Sequence, residues 1–344
     1  MRFSSKSRSG VALTAGLVVL FGGWLMSPLW AQTPPEMQRI SFQIATGPLS
    51  GSYLQVGEGI AVAISHPPGL PRCDVVAVCG PEGLIATTRS SSGSQSNIYS
   101  VDRGNVQSAL VQGDIAAAAF AGSGPFKDGG ALKDLRVIAR LHDDALHFVV
   151  APRSRIKRLK DIVGKRVAVD SMNSATEYAV RNVLAAAGLS TARVRLRMIS
   201  AERAAEDLRD GKLDAYFVIG VAPIASVDGV VRRGYGKLIG LEPRVLANLT
   251  RKTPMYGKIA LVGGTYRSSK TVNTLGIASL WVVHRSQSKD TVYKILRSLW
   301  NPVNQADLRR RGNFAKTLDL RKASENLPLP LHEGAQRFYA AASR

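Results

Sequence analysis

"RVAVDSMNSATEYAVRNVLAAAG", residues 166–188, contains a complete strand–turn–helix unit. Arg166-Val167-Ala168-Val169, with three apolar residues after the arginine, reads as a short strand. The next stretch, "DSMNSATEY" (170–178), is rich in side chains that bond nearby backbone and so end regular pairing. "AVRNVLAAAG" is strongly helix-forming and stops at Gly188, where a helix C-terminus accepts glycine. The same order occurs twice more. Ile40-Ser41-Phe42-Gln43-Ile44 alternates as a strand and enters "ATGPLSGSYLQVGEGIA" (45–61), which turns helical. Leu84-Ile85-Ala86-Thr87-Thr88 enters "RSSSGSQSN" (89–97), followed by a helix from Ile98 to Arg103. Strand and helix alternating in this way predict an α/β fold with parallel sheets, in which ligands bind beyond the carboxyl ends of the strands.

A longer repeat divides the chain. "DRGNVQSALVQG" (102–113) and "LRDGKLDAYFVIG" (208–220) align Gly104 with Gly211, Leu110 with Phe217, and Gly113 with Gly220. Each reads as a helix end, a glycine turn and a buried strand ending in glycine. Their wide separation suits two similar lobes rather than a solenoid. Apolar strands at 147–151 and 279–284 would join the lobes, with 40–146 and 285–344 in lobe I and 152–278 in lobe II. Two connections describe a hinge and a central cleft.

The first residues read as an export signal. Arg2, Lys6 and Arg8 precede the apolar run Val11–Met26, and Pro28-Leu29-Trp30-Ala31 offers a small residue for cleavage, so 1–31 is expected to be a signal peptide. No Cys follows the apolar run, which argues against a lipid anchor. The chain carries 46 Lys and Arg against 25 Asp and Glu, a net charge of +21. In the periplasm such a surface meets anionic solutes and membrane faces, and no nucleic-acid partner is expected. The two cysteines, Cys73 and Cys79, are expected to form a disulfide in an oxidising compartment. A straight strand would hold them roughly 20 Å apart, so the Pro-rich segment between must turn back.

Several chemistries are disfavoured. Gly51 and Gly57 have the wrong spacing for a phosphate loop and lack its Lys-Ser/Thr. His66, His142, His147, His284 and His332 show no metal spacing and read as surface or satisfied core residues. No nucleophile motif is visible, and Asp143-Asp144 reads as a solvated turn. We therefore expect no enzyme, no cofactor and no metal. What remains is binding. Ser50, Ser52, Ser92, Ser94, Asn97, Ser171, Asn173, Ser174 and Thr176 are short polar side chains at or near helix starts. There they can cap the helix or hold a ligand whose carboxylate meets backbone N–H groups. Tyr53 and Tyr178 could wall the ligand.

At these residues the chain resembles a known family. "IATGPLSGSYLQVGEGIA", "SSSGSQSN", "KDIVGKRVAVDSMNSATEYAVRNVLAAAGL", "LRDGKLDAYFVIGVAP" and "LPLPLHEGAQRFY" together, in order, resemble the TAXI-type solute receptors of TRAP transporters. The resemblance implies a two-lobed periplasmic binding-protein fold of type II-like architecture. It also implies capture of a small organic anion or amino acid, glutamate-like or a dicarboxylate, for TRAP transporter membrane subunits. A monomer is expected, and sensing or scaffolding is the alternative role. Carried over by position, the ligand-binding residues are Gly47, Ser50, Gly51 and Tyr53, then Ser92, Gly93, Ser94 and Asn97, then Ser174, Thr176 and Glu177. Pro48, Ala175 and Asp170 depart from the family's pattern, and Asp170 sets a carboxylate beside the third loop.

Overall fold

The computed structural model describes residues 39–48, 51–69, 78–267 and 269–343. The expected signal peptide, Ser50 and Cys73 lie outside the described residues, and with Cys73 the expected pair with Cys79. In chain order the described elements are β1 (Ile40–Ala45), α1 (Ser52–Ile64), β2 (Leu84–Arg89), α2 (Ser94–Asp102), β3 (Ser108–Gln112), α3 (Gly113–Ala121) and β4 (Leu135–Val150). Then follow β5 (Arg166–Ala168), α4 (Ala175–Ala186), β6 (Arg195–Arg197), α5 (Ala201–Arg209), β7 (Ala215–Gly220), α6 (Ala225–Arg232), β8 (Lys237–Ile239) and α7 (Pro243–Lys252). The chain closes with β9 (Tyr256–Leu261), β10 (Val272–His284), α8 (Lys289–Leu299), α9 (Pro302–Arg311) and α10 (Glu333–Ala342). Among the described residues no helix is long and apolar enough to cross a membrane.

The fold is α/β and two-lobed, and the two lobes share one strand plan. In the first, β2, β1 and β3 run parallel, and β10 lies antiparallel against β3. In the second, β6, β5 and β7 run parallel, and β4 lies antiparallel against β7. β3 and β7, the strands of the aligned repeat, thus hold equivalent places. Each follows a helix and a left-handed glycine, Gly104 (φ 71°) or Gly211 (φ 82°). Glycine enters that region without the Cβ clash other residues meet.

β4 and β10 connect the lobes. β4 pairs with β10 from Leu135 to Ala145 and with β7 from Ala145 to Val150. β10 pairs with β9 from Val272 to Ile277 and with β3 from Ser279 to Val283. Both strands therefore change neighbours near Ala145 and Ala278, in the interior of continuous strands. Asp143 and Asp144 sit at this crossing within β4, not in a solvated turn. Asp143 is exposed and Asp144 buried, because neighbouring strand residues face opposite sides.

The same alternation builds the cores. On β3, Leu110 packs with Phe42, Ile44, Val56, Ile60 and Trp281 beneath α1 and α8. Ala109 and Val111 face the other way and meet Ile98, Ile115, Leu280 and Val282 under α2 and α3. On β7, Ala215 and Phe217 join Phe148, Val180, Val183 and Leu184 on one face. Tyr216 and Val218 join Val149, Leu208 and Val227 on the other. Helices cover both faces of the sheet, and the carboxyl ends of the parallel strands lie clear of them.

Candidate functional site

Those carboxyl ends open into one cavity of about 510 Å³. Its wall takes the segments after β1 (Gly47, Pro48, Gly51), after β2 (Ser92, Gly93) and after β5 (Asp170, Ser171, Ser174). The segment after β7, Val221 to Ala225, and Gly312 and Phe314 beyond α9 complete it. The three turns singled out in the sequence therefore share one space. Of the expected residues, Gly47, Gly51, Ser52, Tyr53, Ser92, Gly93, Ser94, Ser171, Ser174 and Thr176 all line it.

The helix starts differ in how their N–H groups are used. α1 begins after Gly51 and α2 after Gly93, and among the described residues neither cap position supplies a side-chain acceptor. The first-turn N–H groups and the positive helix end are then open to a ligand anion. Gly93 has φ 115° and ψ −164°, a conformation kept for glycine, and a Cβ there would meet no protein atom within 4 Å. α4 is different: Ser174 Oγ accepts the N–H of Glu177 at 3.1 Å. Ser94 Oγ accepts the N–H of Gln112 at 3.0 Å and fastens α2 to the end of β3.

Four expected residues are not brought to the cavity wall. Asn97 is buried, and its Nδ2 donates to the carbonyls of Thr46 (2.6 Å) and Leu110 (2.7 Å), bracing the β1 turn against β3. Asn173 is exposed in the left-handed region (φ 61°), and its N–H donates to Glu177 Oε2 at 2.8 Å. Glu177 in turn receives Arg181 Nε at 2.8 Å, so it closes the α4 turn. Tyr178 packs against Gly124 and is not among the described lining residues.

Other residues enter that the sequence reading did not choose: Gln112, Asp144, Ser200, Glu202 and the Val218–Ala225 stretch. The signal for the last was the glycine ending the second repeat copy. The signal for Asp144 was its place directly before the mostly apolar stretch ALHFVV that ends β4. Among the described lining residues none is Lys, Arg or His, although the chain holds 46 Lys and Arg. Burial, with Glu202 adding its charge, raises the Asp170 carboxyl above its usual range, while the Ser171 N–H opposes that shift. Burial, then the charge of Asp144, pushes the Tyr53 phenol well above its ordinary value.

The NMT1-like family model matches residues 44–341. Among solved structures, the periplasmic binding protein BugD superposes with a TM-score of 0.51 at 12% identity, covering 88% of this chain and 94% of that one. MatC from Rhodopseudomonas palustris with bound malate gives a TM-score of 0.50 at 14% identity, covering 88% and 97%. A protein from Bordetella bronchiseptica RB50 gives a TM-score of 0.50 at 15% identity, covering 90% and 100%. These likenesses show the periplasmic binding-protein fold.

Proposed function

The chain belongs to the NMT1-like family, and on that premise we propose that it is an extracytoplasmic solute receptor that captures a small carboxylate between its lobes. The observation that carries this reading is the convergence of two uncapped helix N-termini, α1 and α2, on one cavity of about 510 Å³. Such ends stabilise an anion through N–H groups and the helix dipole without a buried cation. The bound malate of MatC, named for that protein, supports a cargo of this size class.

In this reading 1–31 directs export, Cys73 and Cys79 are bridged, and the mature chain works in the periplasm as a monomer. Lobe I comprises 40–146 and 285–344, lobe II 152–278, and the strands at 147–151 and 279–284 form the hinge. The solute rests on Gly47, Gly51–Tyr53 and Ser92–Ser94 from lobe I and on Ser171, Ser174 and Thr176 from lobe II. A ligand touching both lobes favours the closed state by its differential affinity for it, and a membrane transporter reads that closure. The block resemblance points to TRAP-type membrane subunits and to a glutamate-like amino acid or dicarboxylate.

A thermal-shift screen of organic acids and amino acids tests the reading. A ligand at 100 times its dissociation constant adds about 2.7 kcal/mol of stability. A screen in which no compound moves the melting transition contradicts it.

A further inference from the structure

The floor of the cavity holds a group the receptor reading leaves unused. Asp144 lines it with a side chain only 1% exposed. Its Oδ1 lies 3.2 Å from His142 Nε2, while Oδ2 has no hydrogen-bond partner among the described residues. His142 Nδ1 also has none, so a second ring proton there would be a buried, unpaired donor. The imidazole supplies Asp144 with one hydrogen bond, to Oδ1. An isolated buried carboxylate oxygen is costly unless a donor completes it.

The neighbours of Asp144 repeat the pattern. Tyr53 Oη lies within reach of Asp144 and Ser279 without a well-formed hydrogen bond to either, and Gln112 Oε1 is buried with no partner among the described residues. Ser279 faces Gln112 across β10 and β3, and Tyr53 lies beside both Asp144 and Ser279. The cluster thus presents a carboxylate oxygen, an amide oxygen and hydroxyl lone pairs at one place. A primary ammonium offers three donors and one positive charge, which matches that set. Asp170 and Glu202 add two more carboxylates to the wall, and no described lining residue is basic.

We propose that Asp144 is the specificity-determining residue of the cleft and holds a primary ammonium on the solute. This rests on the receptor reading above and selects amino acids over dicarboxylates within it. The ammonium seats on Asp144, Gln112 and Tyr53, and the carboxylate turns toward the starts of α1 and α2. A dicarboxylate would instead set its second carboxylate against that of Asp144.

Calorimetry on the purified protein tests this with the twenty L-amino acids, their deaminated counterparts (glutarate for glutamate, succinate for aspartate) and the carboxylate-free amines putrescine and ethanolamine. The expected result is binding of at least one amino acid, with its deaminated counterpart weaker by about 100-fold. Asp144→Asn should remove most of that discrimination, weakening the amino acid and letting its deaminated counterpart bind more tightly. Glutarate or succinate binding as tightly as its amino acid overturns the proposal and leaves the carboxylate receptor standing. Putrescine or ethanolamine binding alone keeps Asp144 as an ammonium site and overturns the carboxylate reading. No binding by any probe overturns both. If Asp144→Asn does not fold, the comparison of each acid with its amino counterpart on the parent protein still decides.

Discussion

Tyr266 Oη donates to His147 Nε2 over 2.7 Å and so joins a loop of the second lobe to the crossing strand β4. The same oxygen accepts the N–H of Ile224 at 2.9 Å, in the cavity wall after β7. His147 Nδ1 donates to the carbonyl of Ala145 at 3.0 Å, which fixes the tautomer. A continuous chain of hydrogen bonds therefore runs from the strand crossing to the wall of the site. Tyr266→Phe leaves the Ile224 N–H and the His147 Nε2 without partners. We expect a loss of about 1–3 kcal/mol, read by urea unfolding, because buried groups pay their full desolvation cost when one partner is removed. Unfolding curves that coincide with those of the parent would contradict the network.

Acid should weaken the fold through His147. Burial, against hydrogen bonds to Ala145 and Val218, lowers its pKa to about 4. The unfolded chain then takes up this proton first, near its ordinary value of about 6.5. Stability is full above that value and falls as pH drops from about 6.5 towards 4, by up to about 3 kcal/mol. His147→Gln should flatten the unfolding free energy over that window, provided chemical denaturation at each pH keeps two-state form. An unchanged slope in the variant would exclude His147 as the source.

Asp114 works in the opposite direction. Burial raises its carboxyl to about 6, against hydrogen bonds from Tyr256 and from the Ile115 N–H. At pH 7 it is ionised at a cost, and that cost disappears as pH falls through about 6 towards the unfolded value near 3.9. Asp114→Asn can keep the 2.8 Å bond from Tyr256 Oη but then turns its NH2 towards the Ile115 N–H, at a cost that does not depend on pH. Relative to the parent, the variant should therefore be roughly 2–3 kcal/mol more favourable at pH 7 than at pH 4. Equal effects at both pH values would place the gain elsewhere.

Asn97 should behave as a brace. Asn97→Ala removes two donors from the buried carbonyls of Thr46 and Leu110, so we expect about 2–4 kcal/mol of destabilisation on the usual scale for such losses. Any fall in ligand affinity should scale with misfolding and vanish in the folded fraction, which titration at low temperature can separate.

The sequence carried the fold further than it carried the site. The 2.0 and 3.6 periods, the glycine turns at Gly104 and Gly211, and Gly188 after α4 are local signals, and the elements formed there, although α2 begins at Ser94 rather than at Ile98. The three turns could be named because their composition is local too. Which side chain of a turn reaches the cavity is decided by packing instead. Asn97 looked like a ligand group and is consumed by two carbonyls from other strands. Ser174 looked like a ligand group and also caps α4. Asp144 looked solvated because two adjacent acids suggest a turn, whereas the crossing of β4 and β10 buries one of them. Asp161 was not singled out, and its side chain receives the N–H groups of Lys157 and Arg158 near the surface.

The central claim is that a solute lies against the start of α2, and Gly93 tests it most directly. Its left-handed φ of 115° strains any other residue, yet a Cβ placed there would meet no protein atom within 4 Å, and Gly93 lines the cavity. Calorimetry should compare the parent with Gly93→Ala, using the compound that gives the largest thermal shift in the screen. The expected result is an affinity loss of about tenfold or more, with a melting transition lowered by no more than the strain of one residue. A folded Gly93→Ala protein that binds as tightly as the parent would show that the solute does not approach this helix end, and the cleft assignment would fail.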